Sequence, residues 1–189
     1  ASLTELSAPG AGIRDLTGLS FCTNLQTLDL SYNEISDISA LSGLSHLSDL
    51  CLGGNDISNL TPLSGLTGLV WLELHENNIS SLSGLGTLGG LRYLLLHNNN
   101  ITSISTLASL ANLNYLTLNG NNISNIQPLS GFGAIIYLQL GDNQISNISS
   151  LANLTSLWRL GLGKNLISNT APLAGLTSLF ELDLSHNAL

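Results

Sequence analysis

Apolar residues recur along the chain in a 22-residue frame that keeps its register from Leu25 to Ser178. The first half of each frame alternates with period two, as around Leu94 and Leu96 in LRYLLLHNN. Alternation of that kind predicts a short strand with one face buried. The second half places an apolar side chain at every third position, at Ile101, Ile104, Leu107, Leu110 and Leu113. A spacing of three, rather than 3.6, predicts 3₁₀ turns, whose side chains eclipse at i and i+3. Pro62, Pro128 and Pro172 share one place in that half, where the first turn of a helical segment tolerates proline.

One coil of this design cannot enclose its own leucines, so successive coils must stack strand beside strand. At about 4.8 Å per strand, eight or nine strands give a body roughly 35 to 40 Å long. Asn33, Asn55, Asn77, Asn99, Asn121, Asn143, Asn165 and Asn187 fall in one column, just where the chain turns inward after each strand. A side-chain amide there carries both donors and an acceptor for buried backbone groups of neighbouring coils, so an asparagine ladder is expected. A divergent first repeat (3–24), full repeats (25–178) and a half repeat (179–189) follow one another without a linker, and 1–189 reads as a single domain.

The pattern LxxLxLxxNxIxxIxxLxxLxx, complete in LQTLDLSYNEISDISALSGLSH from Leu25, resembles the 22-residue leucine-rich repeat of the bacterial internalins. The resemblance covers nearly the whole chain. It implies an α/β repeat solenoid, a right-handed superhelix with a parallel β-sheet on its concave face and 3₁₀ turns on its convex face. It also implies a secreted or cell-surface bacterial protein that holds a partner on the concave sheet, with an extracellular or cell-surface location. The helical cap that precedes internalin repeats and the immunoglobulin-like cap that follows them have no counterpart in this sequence, so self-association through uncapped ends enters as an alternative.

Charge and composition narrow the partners. Charged residues make up 8% of the chain and leave a formal charge of −8, which disfavours nucleic acid and anionic membrane. Polar residues interrupt every apolar run well short of a membrane span, so no membrane insertion is expected. Cys22 stands in a leucine column and Cys51 lies between two inward leucines; they are read as one core and one surface thiol, without a disulfide.

Reading the strands as columns places the chemistry. The column before the first inward strand leucine runs Glu5, Thr27, Asp49, Trp71, Tyr93, Tyr115, Tyr137, Arg159 and Glu181, and the column between the leucines includes Glu73 and Leu95. His75, His97 and Lys164 follow at the strand exits, while the convex half is nearly all Ser, Gly, Ala, Asn and Leu. An aromatic patch rimmed by charge marks a binding site. The expected ligand-binding set is therefore Trp71, Tyr93, Leu95, Tyr115 and Tyr137, with Glu73, Arg92, Arg159, Lys164, His75 and His97 as the polar rim. His75 and His97, with Glu73 and Glu76 nearby, have a spacing that would suit a metal, but a polar rim accounts for the same residues, and no metal or cofactor is assigned. No glycine-rich phosphate loop or nucleophile set stands apart from the repeat, so the expected function is non-enzymatic: a protein-binding module. Carbohydrate on the same face, and a structural spacer or scaffold, are the alternatives. Trp158 and Phe180, near the sheet edge, are assigned equally to a cap or to an oligomer contact.

Overall fold

The computed structural model describes residues 2–189. Among these residues, nine three-residue strands, β1 (Glu5–Ser7), β2 (Thr27–Asp29), β3 (Asp49–Cys51), β4 (Trp71–Glu73), β5 (Tyr93–Leu95), β6 (Tyr115–Thr117), β7 (Tyr137–Gln139), β8 (Arg159–Gly161) and β9 (Glu181–Asp183), form one parallel sheet in sequence order. Each strand pairs with the next at an offset of 22 residues, so Leu28, Leu50, Leu72, Leu94, Leu116, Leu138 and Leu160 stand in a row beneath the sheet. The expected leucine-rich-repeat solenoid is therefore the observed fold, and the offset of the sequence repeat is the register of the sheet.

Seven 3₁₀ segments lie on the opposite side among the described residues. Pro62, Pro128 and Pro172 occupy the first turn of three of them. The coil from Leu69 to Gly90 has turns but no 3₁₀ segment. Gly84 in that coil adopts φ +103°, and a Cβ there would stand 2.3 Å from the carbonyl oxygen of Leu60. Only glycine admits so close an approach of one coil to the next.

Between sheet and turns runs one continuous apolar core from Leu16 to Leu176. Phe132, standing where other coils have leucine, is as buried as its neighbours. In LRYLLLHNNNITSI, Leu91, Leu94, Leu96, Asn99, Ile101 and Ile104 are buried, and Tyr93, Leu95 and His97 are partly exposed. Core positions lose cover in the last coil, where Leu182 is 41% exposed, because a coil with one neighbour has half its apolar surface open.

The asparagine ladder is present in the predicted column. Asn99 Oδ1 accepts the Ile79 backbone N–H at 3.0 Å, and its Nδ2 donates to the carbonyls of Leu74 (2.9 Å), Leu96 (3.1 Å) and His97 (3.3 Å). Asn55, Asn77, Asn121 and Asn165 repeat that pattern.

The residue before each ladder asparagine was not legible as special. Tyr32, Gly54, Glu76, Asn98, Gly120, Asp142, Lys164 and His186 all have φ between 53° and 68°. This left-handed turn swings the chain from the sheet into the ladder. Glycine, asparagine and aspartate adopt it at low cost, whereas Tyr32, Glu76, Lys164 and His186 do so with strain that the neighbouring coils must hold.

Candidate binding face

Parallel pairing offset by one whole repeat sets equivalent side chains of adjacent coils directly beside one another. Trp71, Tyr93, Tyr115 and Tyr137 are consecutive register partners. Their rings form two stacked pairs: Trp71 on Tyr93, with centroids 4.6 Å apart, and Tyr115 on Tyr137, 4.0 Å apart and 5° from parallel. Between the pairs, Tyr93 and Tyr115 are 6.2 Å apart and tilted by 36°. The Arg159 guanidinium covers Tyr137 at 5.4 Å and pairs with Glu181 at 2.8 Å, while Trp71 Nε1 donates to Glu73 at 2.7 Å. An arginine thus closes one end of the aromatic row and a glutamate anchors the other. Burial, helped by a hydrogen bond with Tyr137, pushes the Tyr115 hydroxyl up to about 12.

A second row runs beside the first along the strand exits; its two histidines were expected there from sequence, whereas the part played by Tyr32 was not. His75 and His97 stack face to face, 4.6 Å apart and 4° from parallel. Tyr32, two coils before His75, meets it edge-on with its hydroxyl 3.5 Å from Nε2. The intervening coil carries Gly53 and Gly54. A Cβ at Gly53 would lie 2.2 Å from the His75 ring, and one at Gly54 would lie 2.4 Å from the Tyr32 ring. The Gly-Gly pair was the available signal, since it opens the exit column for the rings on either side. His97 Nδ1 is 2.9 Å from Thr117 Oγ1. Leu95 stands twenty residues after His75 as Thr117 stands twenty after His97, and a leucine offers no polar atom. His75 Nδ1 is buried with no hydrogen-bond partner, 3.9 Å from the Glu73 carboxylate. Burial, reinforced by His75 and opposed by Glu76, lowers the His97 pKa and favours its neutral ring.

Five of the eleven residues expected from sequence share one hollow, while Trp71, Tyr93, Glu73, His75 and Arg159 lie outside it. Leu95, His97, Tyr115, Tyr137 and Lys164 line this hollow of about 500 Å³, with Gly141 and Gly163 among the other lining residues. Leu95 is half-buried rather than exposed. Arg92 stands apart from that hollow. It belongs to the next column, with Val70, Asn114, Ile136 and Trp158, and its guanidinium reaches the Asn112 carbonyl at 3.4 Å. Trp158 stacks on Phe180 in that same edge column, 5.0 Å apart.

Both cysteines are half-buried and free, so neither is fully a core nor a surface thiol. Burial, then the charges of Glu73, Asp29 and Asp49, pushes the Cys51 thiol up to about 12, which leaves it a poor nucleophile at neutral pH.

A concave parallel sheet, an asparagine ladder and 3₁₀ convex turns define a leucine-rich-repeat solenoid. Known proteins place it further. The family described as "Leucine Rich repeats (2 copies)" matches residues 1–43, 23–68 and 89–131. Internalin C2 of Listeria monocytogenes is 36% identical, with a TM-score of 0.94 over 96% of this chain and 80% of that one. A second internalin of that organism (inlF) is 34% identical, with a TM-score of 0.83 over 98% of this chain and 62% of its own. The chain belongs to the internalin family of leucine-rich-repeat proteins. A leucine-rich-repeat protein of Leptospira interrogans, 24% identical with a TM-score of 0.70 over 90% of this chain and 51% of that one, shares the fold. No protein of curated function matches in sequence. The internalin-like fold is generally a protein-interaction module, and its members are known as non-enzymatic binding proteins, typically surface-attached or secreted. Among the described residues no helix is long and apolar enough to cross a membrane.

Proposed function

We propose that this chain is a bacterial cell-surface or secreted binding module whose concave sheet receives a protein partner. Trp71, Tyr93, Tyr115, Tyr137 and Leu95 form the apolar centre, and Glu73, His75, His97, Arg159 and Lys164 form its polar rim. Arg92 serves at the periphery. The observation that carries this reading is the unbroken aromatic row across four adjacent strands, bounded by charge at both ends. Tryptophan, tyrosine and arginine are enriched among the residues that dominate binding energy in protein interfaces, and the aromatic ones bury much surface at little conformational cost.

Ring geometry favours protein over carbohydrate. Sugars pack against open ring faces, but here Tyr115 and Tyr137 cover each other, Arg159 covers Tyr137, and Trp71 and Tyr93 cover each other. What the row offers outward is largely ring edges, which suit the mixed apolar and polar surface of a protein.

The test is a binding screen against arrays of extracellular proteins and glycans, run with the wild-type chain and with Tyr93→Ser/Tyr115→Ser. A protein hit that the double variant loses, with its circular dichroism unchanged, supports the reading. A hit indifferent to the substitution, or hits confined to glycans, refutes it.

A further inference from the structure

Two imidazoles and a carboxylate converge where the second row meets solvent. One ligand atom from each of His75, Glu76 and His97 can be chosen so that all lie within 4.8 Å of one another. From sequence these side chains read as a polar rim in preference to a metal site; the contacts of each ring bear on that choice.

The Nδ1 atoms face the sheet. That of His97 is fixed by Thr117 Oγ1, and that of His75 is buried beside Glu73. This leaves Nε2 as the coordinating atom of both rings. On His75 its neighbour is the Tyr32 hydroxyl at 3.5 Å, the outer limit of a hydrogen bond and readily displaced. Metal-binding histidines characteristically place the other ring nitrogen against a carboxylate, hydroxyl or carbonyl, which fixes the tautomer. Glu73, itself held by Trp71 Nε1 at 2.7 Å, stands in that position for His75, and Thr117 does so for His97.

The buried, unpartnered Nδ1 is then accounted for. With a cation on Nε2 the proton of His75 sits on Nδ1, where the Glu73 carboxylate 3.9 Å away can move in to accept it. A polar rim gives no reason to bury a ring nitrogen without a partner.

From this geometry we infer that His75, His97 and Glu76 form a site for a divalent transition metal of the zinc type, with Glu73, Thr117 and Tyr32 as the groups that orient the ligands. Two imidazoles and one carboxylate suit Zn²⁺ or Co²⁺ and leave a coordination position open. Binding requires the half-exposed His97 ring to tilt about its Nδ1 contact with Thr117, because rings 4° from parallel direct their lone pairs side by side rather than at one point. The site does not depend on what the aromatic row binds.

Titration of the purified, metal-free chain with Zn²⁺ by calorimetry, and with Co²⁺ by visible absorption, tests it. The expected result is one ion per chain, with affinity falling by about tenfold or more in His97→Ala and in Glu76→Gln, and unchanged in His46→Ala and His186→Ala. Glu76 is exposed, so its glutamine variant reads out binding without disturbing the core. Three outcomes overturn the site: no saturable binding at micromolar Zn²⁺, equal affinity in the Glu76→Gln chain, or loss of binding on removing His46 or His186.

Discussion

Replacing Asn99 with alanine tests the interaction that ties one coil to the next. The side chain joins two coils: it accepts from Ile79 N–H and donates to the Leu74 carbonyl of the preceding coil, and donates within its own coil to Leu96 and His97. These losses are unequal. The Leu74 carbonyl also accepts from Asn77, and the Leu96 carbonyl also accepts from Asn121, so each keeps one partner. The Ile79 N–H keeps none, and Ile79 is fully buried. An orphaned buried donor costs about 1 to 3 kcal/mol, and the shared acceptor bonds add about 1 kcal/mol together. The expected destabilisation is therefore about 3 kcal/mol, read as a lower urea midpoint at unchanged slope by circular dichroism. Asn187, at the half-buried last coil, makes the same bonds to Ile167, Leu162 and Leu184. Water can replace its amide there, so Asn187→Ala should cost much less. Asn99→Asp keeps the acceptor for Ile79 but sets a carboxylate against carbonyls, so its deficit should shrink as pH falls and the carboxyl protonates. A midpoint for Asn99→Ala equal to wild type, or a cost for Asn187→Ala as large as that for Asn99→Ala, would refute the ladder as the source of cohesion.

Glycine substitutions probe the second row. Gly53→Ala drives a methyl into the His75 ring and should destabilise by about 1 to 3 kcal/mol, whereas Gly43→Ala meets nothing within 4 Å and should leave the urea midpoint near wild type. Leu95→Thr places a hydroxyl where Thr117 serves the next histidine, so the His75 ring-nitrogen shifts in ¹⁵N NMR should move to the pattern of His97; unchanged shifts would count against the twenty-residue relation. Cys51, with its thiol held up at about 12, should react slowly with a disulfide reagent at pH 8 in the Cys22→Ser background and accelerate steadily with rising pH. A rate already at plateau by pH 9 would contradict a thiol held up by burial and by the charges of Glu73, Asp29 and Asp49.

The 22-residue frame carried the fold because the same residues do the same work in every coil. Leucine every second position makes a half-buried strand, apolar residues every third make 3₁₀ turns, and the column of asparagines supplies the groups that a buried turn needs. The in-register aromatic column was legible for the same reason: with strand pairing offset by one repeat, a column in the sequence becomes a row in space. Tertiary structure alone decided what departs from that periodicity. Arg92 lies one residue from Tyr93 yet in another column, directed at Asn112. Tyr32 reaches His75 across 43 positions because Gly53 and Gly54 leave the intervening coil without side chains. The pairing of the four aromatics into two stacks, and the buried nitrogen of His75 beside Glu73, depend on rotamers and local packing. Periodicity fixes which backbone positions are neighbours; ring contacts and polar partners follow from how the side chains at those positions share the space between coils.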